Sequence, residues 1–183
     1  GIVTTLTANT VTANTTAKRN TALGRSALSN HTGSLTVAVG QSALFNNTSG
    51  GGNTAIGYAA LHDNTTQGNL TAVGYEASYK NTTGGNNSSL GSGALRNNTT
   101  GGSNSAFGFL ALNANTTASQ NTAFGYQALD ANTTGSSNTA VGSNALGSNT
   151  TGTRNTAVGL ACLSYNTTGQ SNTAMGNEAL PDN

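Results

Sequence analysis

The chain has 183 residues and a formal net charge of +1, with 6% of residues charged, 5% aromatic and no Trp. So small a charge gives no electrostatic basis for holding nucleic acid or an anionic membrane, and no apolar run approaches the ~18 residues of a membrane span. A single Cys excludes a disulfide framework.

Residues 1–13, GIVTTLTANTVTA, are rich in β-branched side chains and follow no repeat. They read as a β-prone leader able to add as a strand to a neighbouring subunit. The start at Gly1, without Met or an apolar h-region, reads as a processed chain or a fragment.

From residue 14 to 183 one sentence recurs: N-T-T-G-x-x-N-T-A-Φ-G-x-x-A-L-x-x, with Φ apolar. Its glycines are Gly24, Gly40, Gly57, Gly74, Gly91, Gly108, Gly125, Gly142, Gly159 and Gly176. A short strict period means stacked coils that contact only their neighbours. The first interval is one residue short, and the gap is placed between Leu28 and Asn30.

A disordered Asn/Thr/Gly tract has no reason to reserve fixed positions for apolar side chains. Here the residue before each glycine is always apolar: Leu23, Val39, Ile56, Val73, Leu90, Phe107, Phe124, Val141, Val158 and Met175. A Leu column follows five residues later, from Leu28 to Leu180, with Ser78 its one lapse. The two columns are expected to stack as a thin core ladder, the chain turning at Gly-x-x between short strands N-T-A-Φ and x-A-L. The predicted fold is all-β, a parallel β-solenoid of about ten 17-residue coils.

Three further columns carry expectations. The Asn before the first strand, from Asn20 to Asn172 with Thr36 and Leu70 as exceptions, is expected to form a buried amide ladder. The Ala column, Ala22 to Ala174 with Ser89 as its variant, is expected on the outer face, either as a seam between chains or as a mark of tight curvature. Cys162 stands in a slot that is otherwise Ala and is expected to pack as a small hydrophobe.

The segment N-T-A-Φ-G-x-x-A-L resembles the head repeats of trimeric autotransporter adhesins, and Asn121 to Leu129, NTAFGYQAL, is closer still to the Asn/Thr-rich repeats of tail-fibre proteins. The resemblance covers residues 14 to 182. It implies a left-handed β-roll, often a homotrimer, in an extracellular fibre or adhesin at a cell or virion surface. The adhesin coil is shorter, and this chain shows no coiled-coil stalk, membrane anchor or C-terminal chaperone.

All ten coils hold Asn-x-Thr/Ser at one register: Asn14, Asn30, Asn47, Asn64, Asn81, Asn98, Asn115, Asn132, Asn149 and Asn166. One reading is a row of N-linked glycans that hydrates a surface poor in charge. The other is a turn in which Asn caps its own backbone and the Thr hydroxyls form a ladder.

Catalytic chemistry has no foothold in the pattern. Charged side chains occupy variable slots and do not recur from coil to coil, so neither a carboxylate pair nor a metal column assembles. No cofactor or metal is implied, and His31 and His62 read as scattered surface histidines. Ice binding needs Thr two apart on one strand, whereas Thr65 and Thr66 are adjacent. Tyr58, Tyr75, Phe109 and Tyr126, beyond the glycines, either stack on sugars or cover the core edge. The expected function is a non-enzymatic subunit of an extracellular fibre that assembles head to tail or as a homotrimer and is glycosylated along one edge. A carbohydrate-binding adhesin or fibre shaft is the alternative, and an ice-binding solenoid a minor one.

Overall fold

Ten three-residue strands stack into one parallel sheet in sequence order: β1 (Thr21–Leu23), β2 (Val37–Val39), β3 (Thr54–Ile56), β4 (Thr71–Val73), β5 (Ser88–Leu90), β6 (Ser105–Phe107), β7 (Thr122–Phe124), β8 (Thr139–Val141), β9 (Thr156–Val158) and β10 (Thr173–Met175). The computed structural model describes residues 19–182, so the leader 1–13 and Asn14 lie outside it. The register is strict: Ala55 pairs with Ala72, and Ala140 with Ala157. The chain is a parallel β-solenoid with one strand per coil, and the described residues include no helix.

Strand alternation decides what lies inside, and it reverses the expected core ladder. Asn53 is buried, Thr54 faces out, Ala55 is buried and Ile56 is exposed. The same order holds along the rod, so the Φ column points outward. Ile56, Leu90, Phe124, Val141 and Met175 are exposed, and Leu23, Val39, Val73, Phe107 and Val158 are half-exposed. The Ala column is inside, fully buried from Ala38 to Ala157. The reason is positional: Asn and Φ stand three apart, so a buried amide forces Φ to the opposite face.

Among the described residues the second strand of each coil is also absent. Gly-x-x-A-L forms consecutive turns, with Ala43 N–H donating to Gly40 O at 3.3 Å and Asn47 N–H to Leu44 O at 3.2 Å. Leu28, Leu44, Leu61, Leu95, Leu112, Leu129, Leu146 and Leu163 all have positive φ, near 50°. A strand would send neighbouring Ala and Leu to opposite faces; with Leu left-handed, Ala43 and Leu44 are both fully buried. A left-handed Leu costs roughly 1–2 kcal/mol, while burying its side chain contributes about 2 kcal/mol. These turns still ladder between coils, as when Leu44 N–H donates to Ala60 O at 3.0 Å.

The core is therefore strand Ala facing turn-side Ala and Leu. Cys162 lies fully buried within it, as its Ala slot predicts. Ser78 and Ser89, the lapses in the Leu and Ala columns, meet each other: their hydroxyls are 2.9 Å apart and both are buried. This polar pair divides the apolar interior into one cluster from Ala27 to Ala77 and another from Ala94 to Ala174.

The first, shorter coil is in phase at a different point from the one expected. His31 stacks under Asn47, with Nδ1 at 2.9 Å from the Asn47 amide, and Thr32 N–H donates to Thr48 O. Asn20 Nδ2 then donates to Gly33 O, as Asn53 does to Gln67 O. The missing residue thus lies between Thr32 and Gly33. His31 is a buried ladder member rather than a surface histidine, and its neighbour Asn30 is exposed.

Candidate functional site

Two interior amide ladders account for most of the Asn. In the sequon register, Asn47, Asn64, Asn81, Asn98, Asn115, Asn132, Asn149 and Asn166 are fully buried. Asn115 Nδ2 donates to Asn98 Oδ1 at 2.8 Å and to Ala118 O at 3.0 Å, and its Oδ1 accepts from Asn132 at 3.1 Å. A glycan attached at Nδ2 would replace one of those donors and place a sugar inside the coil. The residue after the sequon Asn is also engaged: Thr99 Oγ1 donates to Thr116 O, and Thr116 Oγ1 to Thr133 O. The row of glycans at these eight asparagines is therefore overturned in favour of the laddered turn. Asn30 is exposed but outside the ladder, and Asn14 lies outside the described residues.

In the pre-strand register the amides span the coil interface. Asn104 N–H donates to Asn87 Oδ1 at 2.8 Å, and Asn121 N–H to Asn104 Oδ1 at 3.0 Å. Because the donor is a backbone N–H, Thr36 and Leu70 fit without an amide of their own. Gly101 O ties the two ladders together, accepting from Asn98 in its own coil and Asn87 in the preceding one. The expected buried ladder in this register is present.

With the interior polar groups satisfied except His31 Nε2 and Asn166 Oδ1, at the two ends of the ladder, recognition chemistry is left to two outer surfaces. On the sheet face, Thr and Φ columns run side by side, Thr71 beside Val73 and Thr156 beside Val158. Every strand but β2 thus sets a hydroxyl and an apolar group two apart on one face, a spacing that the adjacent Thr65 and Thr66 of the turn do not offer. Phe107 and Phe124 stack there at 5.7 Å. Beyond the glycines, Tyr58 stacks on Tyr75 at 5.2 Å and Phe109 on Tyr126 at 5.4 Å, all four outside the core. Glu76 beside Tyr75 raises that phenol above its usual pKa.

The turn face varies from coil to coil. Phe45, His62 and Tyr79 form one stack, at 5.2 and 4.9 Å, and the Arg96 guanidinium lies 5.6 Å over Tyr79 while pairing with Glu76. Further along, small residues at Gly147, Ser148 and Ala161 open a groove of about 340 Å³, rimmed by Gln127, Asp130, Asn144, Ser164 and Tyr165. Burial raises the Asp130 carboxyl above its usual pKa. Composition could not locate this groove, because it forms where two adjacent coils carry small residues in neighbouring slots beside Gln127 and Asp130 of a third. Among the described residues no group of three His, Cys, Asp or Glu side chains could hold a metal ion, and no helix is long and apolar enough to cross a membrane.

Comparison with known proteins leaves this geometry to stand by itself: no family model, curated protein or solved structure matches the chain.

Proposed function

We propose that the chain is a structural rod, a shaft segment of an extracellular fibre at a cell or virion surface that lengthens by adding coils end to end. The supporting observation is the uninterrupted register of ten strands with two amide ladders, an interior devoted to holding one coil on the next. Each interface repeats the same bonds: Thr156 N–H donates to Asn172 O and Gly176 N–H to Val158 O. On the terminal strand β10, Thr173 N–H and Met175 O are the matching groups for another coil. Sedimentation and negative-stain imaging over a concentration series test the reading. Rods that lengthen with concentration, and that stop lengthening with Thr173→Pro, are expected; rods of one fixed length at every concentration would overturn it.

The groove favours a second reading, carbohydrate recognition along the shaft. Tyr165 offers a ring for stacking on a pyranose, and Asp130, Asn144 and Gln127 offer acceptors and donors for its hydroxyls. Titration of neutral mono- and disaccharides with NMR detection should shift the Tyr165 and Asn144 signals, and Asp130→Asn should weaken binding about tenfold. Absence of any saccharide-dependent shift would discard this reading.

A further inference from the structure

We propose that the outer face of the sheet is the seat of a second copy of this chain, packed side by side and face to face with the first. The proposal rests on the structural-rod reading and adds a direction of assembly perpendicular to the rod axis. The Φ column leaves the core and lies in solvent along the whole sheet: Ile56 is 39% exposed, Leu90 47%, Phe124 57% and Met175 72%. Across the glycine column, Tyr58, Tyr126 and Leu160 widen the same strip. From the coil of Ile56 to that of Leu160, the Thr, Φ and post-glycine columns hold no charged side chain. A soluble monomer rarely exposes a continuous apolar patch above a few hundred Å².

Area and period together select the occupant. Ten strands at about 4.8 Å make a strip ~48 Å long. At a width of ~15 Å it would bury about 1,400 Å² over two copies, within the range of stable dimers. Its corrugation repeats every ~4.8 Å, so a partner must share that period to fit rung by rung. A helix, with a pitch of about 5.4 Å, would drift by ~6 Å over ten rungs, more than one whole rung. A second copy of the same solenoid stays in register throughout, with its own Thr and Φ columns facing inward and the two sheets about 10 Å apart. A lipid surface is disfavoured because, from the coil of Ile56 to that of Leu160, the strip carries no Lys or Arg to meet headgroups.

The test separates width from length. Mass per unit length from scanning transmission microscopy, with sedimentation equilibrium of Thr173→Pro to suppress end-to-end growth, should give two chains per cross-section. Phe124→Ser with Leu90→Ser should weaken that pairing at least 100-fold while leaving the circular dichroism spectrum unchanged, because Ser already occupies outer strand positions at Ser88 and Ser105. Val141→Thr is the milder variant and should weaken pairing several-fold. A single chain per cross-section in the unsubstituted protein would overturn the proposal. Thermal hysteresis by that monomer would assign the face to ice, and sedimentation with neutral vesicles would assign it to lipid; either result also overturns it. Rods that double in width yet never lengthen would sink the end-to-end reading and leave this one standing.

Discussion

At the scale of single residues, the amides set the geometry. Asn115 makes three hydrogen bonds inside the coil, and removing it leaves Asn98 Oδ1 without a donor and Asn132 Nδ2 with only Gly135 O, in a space closed to water. Asn115→Ala is expected to cost about 3 kcal/mol of stability in urea unfolding, from unsatisfied buried groups at 1–3 kcal/mol each. Asn30→Ala, at an exposed sequon residue, should stay within about 0.5 kcal/mol of the parent protein. His31 supplies a pH dependence. Burial lowers its pKa below 6.5, against the opposing pull of a hydrogen bond to Asn47. The folded state thus holds His31 neutral while the unfolded chain binds a proton, so stability is full above pH 6.5 and falls as pH drops towards the folded pKa. His31→Asn should flatten thermal unfolding midpoints between pH 7 and 5 and extend the amide ladder by one rung.

The same residues define how far the sequence could be read. Period, coil count and pre-strand amide ladder were legible because each appears as a column. The inside of the strand was legible too, had the columns been required to agree. A buried Asn53 implies a buried Ala55 and an exposed Ile56 by alternation alone, and the size of the Φ side chains outweighed that signal. Left-handed Leu44 and Leu61 left no trace in composition, since Leu is among the residue types least expected at positive φ. The sequon pattern misled because an amide that forms ladders and an amide that accepts sugar look alike in one dimension.

At the scale of the element, the glycine after the strand has no substitute. Gly108 sits at φ 144°, and a Cβ there would collide with the Gly125 carbonyl of the next coil. Gly108→Ala must both strain φ and push neighbouring coils apart, so loss of cooperative unfolding by circular dichroism is expected rather than a small shift. The Ser78–Ser89 pair behaves in the opposite way, because two consensus lapses offset each other. Ser89→Ala should cost about 1 kcal/mol by leaving the buried Ser78 hydroxyl without its 2.9 Å partner. Ser78→Leu combined with Ser89→Ala should stabilise by about 2 kcal/mol as a Leu side chain is buried. A double-mutant cycle in urea should therefore show a coupling of at least about 1 kcal/mol.

At the scale of the whole molecule, each coil touches only the coils beside it, so stability is a sum of nearest-neighbour interfaces. The serine pair makes one of those interfaces different in kind, with apolar clusters on either side of it. Hydrogen exchange should find two cooperative blocks whose boundary falls between Ala77 and Ala94. If the rod serves as a shaft, that boundary acquires a mechanical meaning. Pulled from its ends, a stack of identical rungs gives way at its weakest junction. The buried serines fix where this one yields, leaving each half a finished solenoid able to close again once the load is released.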